Sequence, residues 1–144
     1  MKVRKITELD LPELAGLYTE LMHEEIRPEM LADNFTHYQS LPEYLILGID
    51  YEGELVGSIL GIICHDLMGA FMVVENVIVG SKFRRHGLGR LLMEAVEEIA
   101  WERGCYYIML VSGEQRREAH QLYGTLGYQI DPVRGFRKKL DLKR

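Results

Sequence analysis

A single layered α/β (α+β) domain spanning residues 1–144 is the fold this sequence predicts, and three observations predict it. A length of 144 residues with 47% hydrophobic and 27% charged content suits one globular core. Stretches with helical apolar spacing alternate with strand-like apolar runs along the whole chain. Between Val77 and Met93 one such run passes into a basic, glycine-punctuated turn and then into a helix.

Val3 to Ile6 reads as a short strand. Asp10 then stands as a helix cap ahead of Leu11, Leu14, Leu17, Tyr18, Leu21 and Met22, which are spaced three and four apart as on an amphipathic helix. A second helix is expected from Pro28 to about Tyr38. Tyr44 to Asp50 and Leu55 to Cys64 read as a hairpin joined through Tyr51-Glu52-Gly53-Glu54. Ala70 to Val79 is apolar apart from Glu75 and Asn76, the pattern of a central strand covered on both faces. Leu88 to about Trp101 is a helix whose buried face is expected to hold Leu91, Leu92, Ala95, Val96 and Ile99, and Gly104 ends it. Tyr106 to Val111 reads as a buried strand, and Arg116 to Leu126 as an amphipathic helix stopped by Gly127. Tyr128 to Ile130 and Gly135 to Leu140 are expected to close the chain as a strand pair. No repeat, low-complexity tract or linker interrupts this order.

The turn between Ser81 and Arg90 carries Lys82, Arg84, Arg85 and Arg90 with no acidic residue, in a chain of 17 basic and 22 acidic residues and net charge −5. A positive island in an acidic protein points to a specific anionic ligand, whereas a nucleic-acid surface spreads its cations across a face. The first N–H groups of a helix lack intrahelical partners and carry the positive end of its dipole, so an anion is stabilised there. Gly87 and Gly89 let the backbone come close to it. Gly87-Leu-Gly89 lacks the third small residue of a dinucleotide fingerprint, and no Gly-Lys-Ser/Thr loop is present.

Other function classes find less support. No apolar run is long enough to span a bilayer, and the N-terminus lacks the apolar run of a secretion signal, so a cytoplasmic protein without membrane or nucleic-acid partners is expected. Cys64 and Cys105 lie in strand-like sequence and are expected to be buried thiols. His23, His37, His65, His86 and His120 are scattered without metal-ligand spacing, so no metal site is expected.

Arg84-Arg-His-Gly87-Leu-Gly89 fits the pattern Arg/Gln-x-x-Gly-x-Gly/Ala. With its flanking strand and helix it resembles the acetyl-CoA-binding motif of the GCN5-related N-acetyltransferase (GNAT) family. Ala119-His-Gln-Leu-Tyr123-Gly-Thr-Leu-Gly127-Tyr128 resembles that family's later Ala-x-x-x-Tyr-x-x-x-Gly-Phe/Tyr element. The resemblance implies a mixed, mostly antiparallel central sheet with flanking helices, in which the strands ending near Val79 and Val111 run parallel and splay apart to admit pantetheine. Val77, Ile78 and Val79 are then expected to pair with the pantetheine amides as an added strand would. The pyrophosphate is expected on the N–H groups from Arg85 through His86, Gly87, Leu88 and Gly89 to Arg90, with Arg84 alongside. Where many relatives carry an asparagine upstream of Ala119, this chain has Arg116 or Arg117, which leaves one cofactor contact undefined.

The reaction implied is transfer of an acetyl group from acetyl-CoA directly to a primary amine. An amine with a pKa near about 10.4 is mostly protonated at neutral pH, so a base is useful. Glu75, in an otherwise apolar strand, suits that base if it is buried, since burial raises a carboxyl pKa; the alternative is a structural carboxylate. Tyr123 matches the tyrosine that gives a proton or hydrogen bond to the coenzyme A thiolate, and otherwise anchors its helix face. From Glu8 to Glu43 the chain holds nine acidic residues and one basic one, Arg27. In this family the first helices wall the acceptor site, so a cationic amine acceptor is expected, against the alternative of a solvated acidic helix face. A non-catalytic acyl-CoA-binding or sensing module is the competing function. Many relatives pair as homodimers, but no interface is marked in this sequence.

Overall fold

The structure, a computed structural model, describes residues 1–130 and 133–141. Its elements are β1 (Val3–Lys5), α1 (Leu11–Met22), α2 (Pro28–Tyr38), β2 (Tyr44–Tyr51), β3 (Glu54–Asp66), β4 (Gly69–Val79), α3 (Leu88–Glu102), β5 (Cys105–Leu110) and α4 (Arg117–Thr125). The five strands form one sheet in the order β1-β2-β3-β4-β5. The first three pairings are antiparallel and β4 with β5 is parallel. A tight turn joins β2 to β3, with Glu52 and Gly53 both left-handed at φ 52° and 83°, as a hairpin turn matched to strand twist requires. The parallel step from β4 to β5 needs a crossover, and α3 supplies it.

Helices cover both faces. On one, Leu88, Leu92, Met93 and Val96 of α3 pack with Ile49, Ile59, Met72, Val74 and Val77 of the sheet. On the other, Leu11, Leu14 and Leu17 of α1 and Phe35 of α2 pack with Leu55 and Ile78. Each fully buried aliphatic side chain contributes about 1.5–3 kcal/mol. Glu13 of α1 accepts the Leu55 N–H at 2.9 Å and Glu20 accepts the Ser81 N–H at 3.0 Å. Two carboxylates of the acidic first helix therefore bind backbone and fix α1 to the sheet and to the turn after β4.

Several sequence expectations change. Asp10 precedes α1 but does not cap it: its carboxylate receives Arg4 at 2.8 Å and the Thr7 N–H at 2.7 Å. Arg4 also meets Asp50 at 2.8 Å, because a guanidinium can serve two carboxylates at once. The buried face of α3 is Leu88, Leu92, Met93, Val96 and Ala100, with the expected Leu91, Ala95 and Ile99 half-buried along its flank. Cys64 and Cys105 are free thiols, half-buried rather than buried. The expected strand pair at Tyr128–Ile130 and Gly135–Leu140 is absent, both stretches being irregular. Between residues 133 and 141 Phe136 and Leu140 would share a strand face only with Lys138 between them, and Arg134, Arg137 and Lys139 surround them, so no continuous apolar face exists to bury. Among the described residues β5 is consequently the sheet edge. Tyr106 and Met109, expected inside, are 52% and 45% exposed.

Candidate active site

The site begins with a fault in β4. Leu60 of β3 pairs with Glu75, but Ser58 pairs with Ile78, so β4 carries an extra residue opposite Ile59. Asn76 absorbs it in the left-handed region at φ 53°, which asparagine tolerates better than most residues. The Tyr18 phenol, pushed up by burial, takes part in a side-chain hydrogen bond with Asn76 and ties the bulge to α1. The bulge shifts the alternation, so Val77 joins the core under α3 and Ile78 the core under α1.

Beyond the bulge β4 and β5 part company. Their ladder ends at Val74 opposite Leu110, while β4 runs on to Val79 against β3 alone. The Val77 carbonyl accepts from Arg116 Nη2 at 3.2 Å and the Val79 carbonyl from Arg84 Nε at 3.3 Å. These carbonyls face away from β3 and are met by side chains where a strand would otherwise lie. The splay expected from the resemblance is present.

At the end of β4 the chain passes through Ser81–Phe83, a short 3-10 turn, into α3. Arg85 and Gly87 are left-handed at φ 68° and 76°. Gly87 is the N-cap of α3 and no side chain caps the helix there. The first intrahelical bond is Leu91 N–H to the Gly87 carbonyl at 3.2 Å, so the N–H groups of Leu88, Gly89 and Arg90 have no acceptor within the helix. Gly89 stands where a Cβ would lie 3.0 Å from Leu122 Cδ2. Its missing side chain lets α4 pack close to the start of α3.

A cleft of about 720 Å³ joins these parts. Of the residues expected to hold cofactor, Val77, Ile78, Val79, Arg84, Arg85, Gly87, Leu88, Gly89 and Arg90 all line it. His86 does not; its ring lies 5.5 Å from that of Tyr51. Arg116 and Arg117 add two further guanidinium groups, and Glu20 and Glu118 are the lining carboxylates. Glu20 is engaged by Ser81, and Glu118 sits 3.7 Å from the exposed Arg85. Five arginines against two committed carboxylates make the cleft cationic, as a diphosphate needs.

The two expected catalytic residues fare differently. Tyr123 of α4 lines the cleft and is 7% exposed. Burial pushes its phenol up, and the charge of Arg116 opposes that. Its ring meets Tyr128 edge-on at 6.2 Å, and the Tyr128 phenol is itself held up by burial and the neighbouring Glu97. Glu75, by contrast, is solvent-exposed and outside the cleft lining. The bulge that follows turns Val77 inward but leaves Glu75 on the sheet face beyond the cover of α1. The expectation of a buried carboxylate there is therefore corrected, and with it the desolvation argument for a base. Sequence reading missed His23, left-handed at φ 57° at the end of α1, which lines the cleft. It also missed the bulge, although an asparagine inside an apolar strand was a signal for one.

A strand splayed from its parallel neighbour beside a helix N-terminus is the arrangement that the resemblance to N-acetyltransferases implies. The sequence model of the acetyltransferase (GNAT) family matches residues 5–128, and the chain belongs to that family. Over 65 residues it is 38% identical to N-alpha-acetyltransferase 80 of Mus musculus, a match covering 44% of this chain and 19% of the mouse protein. The chain thus corresponds to about a fifth of that relative. Among solved structures, a putative acetyltransferase from Agrobacterium tumefaciens superposes with a TM-score of 0.87 at 23% identity, covering 97% of this chain and 100% of the other. Glucosamine-6-phosphate N-acetyltransferase from Arabidopsis thaliana superposes with a TM-score of 0.83 at 22% identity, covering 97% and 98%. These likenesses establish the fold and, with the family match, an acetyltransferase. Among the described residues no helix is long and apolar enough to cross a membrane.

Proposed function

We propose that this chain transfers an acetyl group from acetyl-CoA to a primary amine, with the donor in the cleft between β4 and α4. The observation that carries the reading is the run of β4 from Glu75 to Val79 beyond its last β5 pair, leading directly to an uncapped helix N-terminus. Pantetheine would extend along the β4 edge at Val77–Val79, its amides sharing carbonyls that also accept from Arg116 and Arg84, and the diphosphate would rest on the N–H groups at Leu88–Arg90 with Arg84 and Arg85 around it. The thioester then lies near Val77 and Tyr123. The residues present suit the ligand: an edge for amides, a cap site for phosphate and a phenol for sulfur.

For transfer, the amine lone pair forms the C–N bond, the C–S bond breaks and the electron pair leaves on sulfur. Tyr123 contributes a hydrogen bond to that thiolate. The acceptor reaches the carbonyl from the α1–α2 side, where exposed Glu24 and Glu25 favour a cationic amine. Glu75, exposed on the same face of β4 as Ile78, takes up the amine proton through water. Calorimetry with coenzyme A and acetyl-CoA, followed by thiol release over a panel of amines, tests the reading. Binding with turnover on cationic amines supports it. Binding without turnover on any amine favours an acyl-CoA-sensing module, and no binding overturns both.

A further inference from the structure

We propose that Arg116 is a catalytic residue whose guanidinium, held across the splay at the end of β4 beside Tyr123, stabilises the thiolate released when the thioester is cleaved. This rests on the acetyl-transfer reading of the cleft. Arg116 occupies the N-cap position of α4 and reaches back to the Val77 carbonyl, 39 residues away in sequence, at 3.2 Å. It is half-buried in the cleft lining. A guanidinium has five N–H donors, and this contact uses one.

Its electrostatic situation, which Arg84 and Arg117 share, differs from that of the cleft arginines Arg85 and Arg90. Arg85 lies 3.7 Å from Glu118, and Arg90 lies 3.5 Å from Glu94. Among the described residues Arg116 has no carboxylate within ion-pair distance, so its charge is available to a ligand. The Tyr123 phenol feels that charge, which works against the effect of burial. Phenol and guanidinium both line the cleft, and the bond to Val77 sets the guanidinium at the β4 edge where the thioester would lie. A guanidinium stays charged at any working pH, and half-burial shields its field less than bulk water does.

The step is balanced. The amine nitrogen bonds to the acetyl carbon, the C–S bond breaks, and its electron pair stays on sulfur as a thiolate. The amine proton passes through water to Glu75. Negative charge thus grows on sulfur between the Tyr123 O–H and the Arg116 N–H groups, and Arg116 itself exchanges no proton. Charge-assisted hydrogen bonds are about twice as strong as neutral ones, and a donor aimed at developing charge acts mainly on kcat.

Arg116→Gln and Arg116→Lys test this, compared with the parent in thiol release on acetyl-CoA with the best amine. Expected for Arg116→Gln is a kcat lower by about 10- to 100-fold with KM for acetyl-CoA within about threefold, and partial recovery in Arg116→Lys. A second readout needs no turnover: binding of coenzyme A against desulfo-coenzyme A at pH about 9, where a thiol of pKa near 8.5 is mostly thiolate. The parent should prefer coenzyme A, and Arg116→Gln should narrow that preference by about 10-fold. Thermal melts confirm that the variants are folded, and Arg116→Lys carries the test if glutamine unfolds the N-terminus of α4. An active parent with a glutamine variant of unchanged kcat and unchanged thiolate preference overturns the inference alone. So does a glutamine variant with higher kcat or tighter acetyl-CoA binding, which would mean that Arg116 only obstructs the cleft. A parent that binds coenzyme A but acetylates no amine overturns the functional reading and this inference with it.

Discussion

Replacing Tyr123 with phenylalanine removes one oxygen from the cleft and little else. The ring is 7% exposed and packs in the core under α3, with Tyr128 at 6.2 Å. All of that packing survives the substitution, so stability should fall by less than about 1 kcal/mol, or about 3 °C in melting temperature for a domain of this size. The chemical effect should be larger, and its size indicates what the phenol does. Burial holds the phenol above its ordinary value of 10, whereas a thiol lies near about 8.5. Moving the proton fully from phenol to thiolate is therefore uphill by at least about 1.5 pK units, or about 2 kcal/mol. A hydrogen bond donated by the intact phenol to the thiolate avoids that cost and stabilises it by about 1.5–3 kcal/mol. Tyr123→Phe should accordingly lower kcat by about 10- to 150-fold while leaving KM for acetyl-CoA nearly unchanged. Stopped-flow or plate-based detection of free thiol, with a thermal melt on the same preparation, measures both quantities. An unchanged kcat in a well-folded variant refutes the hydrogen-bonding role, and a loss beyond about 10⁴-fold refutes the limit set by the pKa gap.

Other expectations follow from particular contacts. Asp10 is held at about 2 by the Arg4 guanidinium. Its folded pKa is depressed, so its contribution is present above about pH 4 and fades as pH falls toward about 2. With Arg4 34% exposed, Asp10→Asn should cost about 1–2 kcal/mol near neutrality after solvent screening. In urea titrations across pH, the gap between parent and variant should close below about pH 4; a gap constant down to pH 2 would contradict the ion pair. Gly57→Ala places a Cβ 3.1 Å from Ile49 Cγ2, 3.1 Å from the Ile78 carbonyl oxygen and 3.2 Å from Leu92 Cδ1. Backbone on one side and packed core on the other should make it cost about 1–3 kcal/mol by denaturant titration, and a neutral result would show that the β3–β4 pair shifts freely. Gly87→Ala meets no atom within 4 Å but is forced to φ 76°. It should lose about 1 kcal/mol through backbone strain alone, and coenzyme A calorimetry should show weaker binding if the α3 N-terminus holds the diphosphate. Coenzyme A affinity should also fall as salt rises from about 0.05 to 0.5 M, because the cleft's arginines are screened; a salt-independent affinity argues against a diphosphate at Leu88–Arg90.

Local signals located most of the residues that line the cleft. Glycine at positions 87 and 89 and the cations around them mark a cap site without reference to the rest of the chain, since backbone N–H groups and φ preference are properties of a few adjacent residues. Tyr123 was legible through the resemblance of Ala119 to Tyr128 to the family's later element, whereas the amphipathic spacing of its helix marked it only as a packed side chain. Glu75 shows where such reading stops. An acid in an apolar strand reads as buried, yet one extra residue at Asn76 changes which face each later side chain takes, and helix α1 ends its cover short of Glu75. The same limit applies to Asp10, whose position before a helix suggests a cap. The turn from β1 into α1 folds Asp10 back onto Arg4, six residues earlier, and redirects the carboxylate.

The sequence by itself determined the order of helices and strands, the cationic glycine turn and the aromatic helix that follows, because periodicity, turn chemistry and charge act over a few residues. Tertiary structure alone decided that β4 outruns β5, that Arg116 crosses the opening to Val77 and that Glu75 faces solvent. Each of these depends on where a distant strand ends or a neighbouring helix lies. Loop closure and side-chain packing set those distances between residues far apart in the chain, and no local pattern encodes them.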